Sequence, residues 1–512
     1  MDGFGKNVIG LHGYHPFGAI RAGWHTPSVM RIHRFILGVA ALIAAPVLAP
    51  VEAAGADALP ARVAAALRAA AVPLAGAALV VHEVGAARPL LAYNAGKPMN
   101  PASTIKLVTT LAALELLGPT FAWKTEMWTA GAQQGDVLEG DLVLRGGGDP
   151  KLTVETLWLM LRAVRARGLR EIRGDLVLDR SYFDAVSQDA ARFDNEPLRP
   201  YNVAPDALLL NFKAFRFTFV PDPERGLAQV TVEPRSTLLG VGNAVRLAEG
   251  PCNDWRARLK ADFNGDGGND GRQRAAFSGV FPASCGEKTW NVALQSHPNY
   301  VLGVFRQLWE ELGGTLLGGV RDGAAPDGAR LLYSNESPAL AEIVRDMNKF
   351  SNNVMARQLF LTLSAEMMKQ PGRADRSAQV VRDWLARTGL EFPELVIENG
   401  SGLSRAARIS AGNMARLLLA AYASPVMPEF IASMPVVAYD GTMKRRLKSD
   451  SVAGQAHIKT GSLSDVRSLA GYVLDSRGRR FAVVFFVNHP NASATQAAQD
   501  ALLTWVYADA GR

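Results

Sequence analysis

The chain is poor in the side chains on which many hydrolases rely: its 512 residues include eight histidines and two cysteines. It has no His-Glu-x-x-His pair, no Gly-x-Ser-x-Gly elbow and no Gly-rich loop ending in Gly-Lys-Ser/Thr. Those absences argue against a helical zinc peptidase, an α/β-hydrolase triad and a P-loop NTPase. The formal net charge is +7, but no run of basic residues is long enough to argue for nucleic acid, so no such partner is expected. A weakly basic surface suits an anionic neighbour such as a cell wall, and it also simply keeps a protein soluble. The size excludes one small core and predicts two or three domains.

One apolar run stands out, from Phe35 to Pro50, preceded by Arg31, His33 and Arg34. It is short, carries Pro46 and Pro50, and is followed by small-x-small sites at Val51-Glu52-Ala53 and Ala54-Gly55-Ala56. This layout predicts a secretory signal peptide rather than a membrane span, with the mature chain beginning near Ala54 or Asp57. The stretch ahead of Met30 shows no periodic pattern, and a signal beginning at Met30 would look ordinary. Residues 1–56 are therefore read as upstream extension and signal peptide. An exported, periplasmic protein without a stable membrane span after cleavage is the expectation. In that compartment Cys252 and Cys285 favour a disulfide.

Hydrophobic periodicity predicts helices over Ala61 to Ala71 and Pro101 to Leu117, with strands over Ala77 to His82 and Pro89 to Tyr93 between them. From Phe121 to Trp290 short β-like runs alternate with Gly, Pro and Asp turns, interrupted by one helix from Val154 to Gly168. Helices then return, and strands from Ser468 to Leu474 and Arg480 to Val487 precede a terminal helix. Helices around an antiparallel sheet, with a large mostly-β insertion, make an α+β fold. Residues 57–122 and 291–512 are expected to form one domain, and 123–290 to be inserted, with a further domain nested at roughly 185–255.

Three short motifs remain. Ser103-Thr104-Ile105-Lys106 is the single Ser-x-x-Lys, at a helix start. Residues three apart share a helical face, so the Lys106 amine can reach the Ser103 hydroxyl, and the helix N-terminus favours a developing alkoxide. A lysine serves as base once burial and nearby cations lower its pKa. Ser351-Asn352-Asn353 lies between two predicted helices; by itself it reads as an N-cap. Lys459-Thr460-Gly461, followed by Ser462, ends a predicted strand, and by itself reads as an ordinary strand end. Together, in this order and each on a suitable element, they are the Ser-x-x-Lys, Ser-x-Asn and Lys-Thr-Gly set of penicillin-recognising serine enzymes.

With these residues in place, the chain resembles the class C low-molecular-mass penicillin-binding proteins, the D-alanyl-D-alanine carboxypeptidase/endopeptidase family. The likeness extends to Gly148-Asp149-Pro150-Lys151-Leu152, Asn399-Gly400-Ser401-Gly402-Leu403-Ser404-Arg405, Tyr439-Asp440-Gly441-Thr442 and Ala470-Gly471-Tyr472-Val473, and runs from about Leu59 to the C-terminus. The family more usually has Asp where this chain has Asn399. The resemblance implies a penicillin-binding/serine β-lactamase-like transpeptidase domain carrying one or two extra domains, with Ser103 as nucleophile and Lys106 as base. It further implies that Ser351 and Asn353 serve proton relay and substrate carbonyl, and that Lys459 and Thr460 hold the terminal carboxylate beside Gly461 and Ser462. Arg405 and Asp179 would meet the two ends of a charged stem-peptide residue. Peptidoglycan peptides would be substrates and β-lactams covalent inhibitors, with no cofactor. A β-lactamase or a non-catalytic wall-binding or β-lactam-sensing protein would share these residues. Asp262-Phe263-Asn264-Gly265-Asp266-Gly267 matches half a calcium loop, but Gln273 replaces the closing Glu, so a surface turn without metal is expected.

Overall fold

In the computed structural model, residues 59–184, 189–266 and 272–510 are described here. The expected signal peptide and its cleavage sites lie outside them. Among the described residues no helix is long and apolar enough to cross a membrane.

The site rests on a five-stranded antiparallel sheet ordered Ala456–Leu463, Val466–Leu474, Arg480–Asn488, Ala77–Glu83 and Leu91–Tyr93. Its strands are apolar on both faces because both faces are covered. Successive side chains point to opposite sides of a strand. Ala78, Val80, Ala482, Val484 and Phe486 enter a core shared with the helices Lys106–Leu117, Asn353–Met368 and Ala411–Ala423. Ala77, Leu79, Val81, Val483 and Phe485 enter a second core shared with Ala61–Ala69 and Gln496–Ala508. Each fully buried Val, Leu or Phe contributes roughly 1.5–3 kcal/mol.

Between the first helix of the site and the Ser351 loop the chain builds two further sheets. One has seven strands and pairs Lys124–Gln134 with Val137–Gly146 on one side and Arg330–Glu336 on the other. The other has six strands between Phe215 and Val292, closed by Lys288–Val292 against Phe215–Asp222. Both sheets and the helix His297–Glu311 share one core. The β material thus continues past residue 290, where the sequence reading returned to the first domain, and the six-stranded sheet continues past 255. The strand Arg330–Glu336 finds its partner about two hundred residues upstream, and local turn signals carry no information about such pairing.

The six-stranded sheet packs around an aromatic cluster in which Phe277 lies edge-on to Phe217, Phe219 and Phe263. Cys252 and Cys285 are joined by a disulfide at its margin. The half-match to a calcium loop begins in the strand Leu259–Asp266, which pairs with Gln273–Pro282, and the rest of the expected turn lies outside the described residues. Among the described residues no group of three or more His, Cys, Asp or Glu could hold a metal ion.

Thiol titration of the unfolded, unreduced protein should find no free cysteine. Because the bridge closes a sequence separation of 33, Cys252→Ser with Cys285→Ser should lower unfolding free energy by about 3–4 kcal/mol on the chain-entropy account. Denaturant titration checks this, and an unchanged midpoint would remove the bridge from the stability argument.

Candidate active site

Ser103 sits in a short 3₁₀ turn, Ala102–Ile105, that runs directly into the helix Lys106–Leu117. The turn is pinned by Asn100, whose side-chain oxygen accepts from the Ala102 amide at 2.9 Å and whose own amide N–H donates to Asn488 at 2.7 Å. Ala102 adopts φ +45°, a left-handed conformation that L-residues hold only when their surroundings enforce it. The tight turn delivers the expected i, i+3 pairing: Lys106 Nζ lies 3.0 Å from Ser103 Oγ. The amine also donates to Asn353 Oδ1 at 2.7 Å and to the Ser401 carbonyl. Lys106 is 0% exposed. Burial first, then the positive charges of Lys459 and Arg357, hold its pKa well below that of an ordinary lysine.

Ser351 and Asn353 flank the junction of Leu340–Lys349 and Asn353–Met368. The capping is done by Asn352, whose Oδ1 accepts from the amides of Val354 and Met355 at 3.0 and 3.1 Å. Asn353 is thereby left to meet Lys106, and Ser351 to meet Lys459, whose Nζ donates to Ser351 Oγ at 2.8 Å and to the Thr460 carbonyl at 2.7 Å. Burial pushes the Lys459 pKa down to about 7. The Thr460 hydroxyl donates to that of Thr442 at 2.7 Å.

Glycine at 461 is a matter of space. A Cβ there would stand 2.3 Å from Ser468 Oγ and 2.8 Å from the Ser103 amide nitrogen, so only a bare backbone lets this strand lie against the nucleophile's turn. Ser468 in turn donates to the Pro101 carbonyl at 2.6 Å, tying the sheet to that turn. Ser462 follows on the exposed end of the strand.

Asn399 has no ionic part. Its oxygen accepts from the Ser401 amide and hydroxyl and its amide donates to the Leu403 carbonyl at 3.0 Å, so it shapes the loop that presents Ser401 to Lys106. Arg405 is half-exposed at the end of this loop; it donates to Asp465 at 2.9 Å and to Ser464 at 3.1 Å, and lies over the Phe193 ring at 4.8 Å. Asp179 is 4% exposed at the end of the buried strand Leu176–Asp179, where it accepts from the amide and hydroxyl of Ser181 and faces Arg145 at 3.6 Å.

A cavity of about 1030 Å³ opens beside the Ser351–Asn353 loop. Its opposite wall comes from the inserted region, including Tyr201, Phe212, Arg216 and Thr231. Three further participants went unread in the sequence: the Ser401 carbonyl, Arg357 and Thr442. A backbone carbonyl leaves no trace in residue identity. Thr442 was visible only as part of the Tyr439–Thr442 motif, and Arg357 only as a helical residue four past Asn353.

A serine hydroxyl held by a buried lysine, an Asn and a Ser facing two lysines, and a Lys-Thr-Gly strand on an antiparallel sheet together define the penicillin-recognising serine acyl-transfer enzymes. More narrowly, the chain belongs to the D-Ala-D-Ala carboxypeptidase 3 (S13) family, whose model matches residues 59–508. It is 30% identical over 447 residues to a D-alanyl-D-alanine carboxypeptidase of Actinomadura sp., covering 83% of this chain and 80% of that protein. A D-alanyl-D-alanine carboxypeptidase of Haemophilus influenzae is 27% identical over 399 residues, 77% of this chain and 82% of that one. The crystal structure of penicillin binding protein 4 from the same organism superposes with a TM-score of 0.70 at 25% identity, covering 86% of this chain and 99% of that one. A second structure of that protein, complexed with a β-lactam, matches with a TM-score of 0.67 at 24% identity, covering 87% and 99%. The enzyme class is therefore serine-type D-alanyl-D-alanine carboxypeptidase.

Burying Lys459 sets a pH-dependent penalty whose sign is definite. Its folded pKa, about 7, lies below the ordinary 10.5, so the folded protein carries the full cost of a buried ammonium below about pH 7 and sheds it as pH rises toward 10.5. Lys459→Met should therefore stabilise the fold more at acid than at alkaline pH while impairing acylation. Thermal midpoints measured across that range check it; a gain independent of pH would refute the burial account.

Proposed function

We propose that this enzyme removes the terminal D-alanine from peptidoglycan stem peptides, and opens D-Ala cross-links, through an acyl-enzyme on Ser103. The observation that carries the mechanism is the wholly buried Lys106 amine, 3.0 Å from Ser103 Oγ and hydrogen-bonded only to neutral groups. A lysine whose pKa is held well below the ordinary value is suited to offer a lone pair for the Ser103 proton.

As Oγ attacks the penultimate D-Ala carbonyl, that proton passes to Lys106 Nζ. Backbone N–H groups of Ser103 and Ser462 hold the oxyanion; the close approach at Gly461 brings their two segments together. Collapse breaks the C–N bond, and the leaving amine takes a proton through Ser351. Lys459 and Thr460 receive the leaving residue's carboxylate, and Asn353 orients both substrate and Lys106. Water then attacks the ester and regenerates Ser103. A β-lactam enters the same sequence and stalls as the ester.

Arg405 is the candidate for a second carboxylate on the stem peptide, since its guanidinium is half-exposed at the end of the Lys-Thr-Gly hairpin. The inserted region, which walls the cavity beside Ser351, narrows the cleft toward peptide substrates. A cell-wall substrate agrees with the signal-like run from Phe35 to Pro50 and a periplasmic site of action.

Purified enzyme given a D-Ala-D-Ala-ended muropeptide should release one alanine by mass, and fluorescent penicillin should label Ser103. Ser103→Ala should abolish labelling, and Lys106→Ala should slow acylation by at least ~10²-fold. Persistent labelling of the first variant would move the nucleophile elsewhere; near-normal acylation in the second would reject Lys106 as base.

A further inference from the structure

Arg357 lies one helical turn beyond Asn353 on the helix Asn353–Met368, so the two side chains share a face. Asn353 uses that face to hold Lys106. Arg357 is 9% exposed, donates from Nη1 to the Val203 carbonyl at 3.3 Å, and its buried Nε has no partner. Burial lowers its pKa to about 10, and no carboxylate offsets this. A buried cation without a counter-ion is unfavourable, and a neutral side chain would pack there at lower cost. What this position adds to the site is charge.

We infer that Arg357 is a positioning residue that acts through Lys106: its guanidinium, lodged one turn behind Asn353 and anchored on the inserted region at Val203, sets the charge on the Lys106 amine. The inference rests on Lys106 being the base. The groups that bond or bias Lys106 come from four elements: Ser103 from its own turn, Asn353 and Arg357 from the helix, Lys459 from the strand Ala456–Leu463, and the Ser401 carbonyl from the loop. Lys459 and Arg357 are the charged members, and both disfavour the protonated amine. Lys459 is engaged with Ser351 and the Lys-Thr-Gly strand. Arg357 bonds to none of the three motifs, which leaves its field as its contribution.

The sign follows. A nearby cation lowers the pH above which Lys106 is free to accept a proton. Removing that cation raises this pH, so acylation fails over a wider acid range and recovers in alkali.

The test uses the full chain and fluorescent penicillin, with second-order acylation rates measured from about pH 5.5 to about pH 10.5, which spans the titration of a perturbed lysine. In Arg357→Met and Arg357→Gln the acid limb should move up by about one pH unit, with acylation about tenfold slower on that limb and an unchanged alkaline plateau. Arg357→Lys keeps the charge and should keep the limb. A purely structural role would lower the thermal midpoint and scale the rate down equally at every pH; a limb that stays in place in both neutral variants overturns the inference. So does failure of both to give enzyme that binds penicillin in alkali, since Arg357 would then be a folding residue. Near-normal acylation in Lys106→Ala would instead reject the base assignment itself, a distinguishable failure.

Discussion

The constraint on which the site depends is that an amine must be kept dry and uncharged beside a serine. Water stabilises an ammonium strongly, so removing it shifts the balance toward the neutral form. An adjacent carboxylate would reverse that shift. Lys106 is accordingly surrounded by a hydroxyl, an amide oxygen and a backbone carbonyl, none of which adds negative charge. The two charges that bias it, Lys459 and Arg357, are both positive. The site is destabilising by construction, and the large apolar cores on both faces of the five-stranded sheet offset it.

Precision at the site comes from backbone more than from side chains. Ala102 and Ser351 both hold left-handed conformations, at φ +45° and +55°, and each adjoins or supplies a reacting group. Such conformations persist only where surroundings enforce them. Here the surroundings are the Asn100 clamp, the Asn352 cap and the approach of Gly461. Gly402, at φ +80°, completes the arrangement, since a Cβ there would stand 2.0 Å from the Ala102 carbonyl. Asn399 orders its loop through an amide donor that a carboxylate lacks.

The three motifs that the structure brings together were legible because each sets specific side chains at a short spacing: Ser103 with Lys106, Ser351 with Asn353, Lys459 with Thr460 and Gly461. The strands of the central sheet were legible because burial on both faces makes them continuously apolar. Long-range pairing was not legible. Nothing local distinguishes Arg330–Glu336, a strand of the inserted sheet, from a strand of the first domain. Asp179 was read from its place in the sequence alone, which carries nothing of its burial or of its bonds with Ser181. Arg357 is read only in three dimensions, because a charged residue inside a helical pattern ordinarily faces solvent.

The strand Ala77–Glu83 pairs along its whole length with Arg480–Asn488, so the sheet beneath the nucleophile is joined from the two extremes of the described chain. Such a contact closes a loop of nearly the whole described chain, and loop-closure entropy rises with loop length. The hairpin that carries Lys459 pairs with that C-terminal strand, and Ser468 and Lys459 tie it back to Pro101 and Ser351. A copy without residues 456–488 would lack both that hairpin and the strand that joins it to Ala77–Glu83, so the close approach of Gly461 to the Ser103 turn could not form.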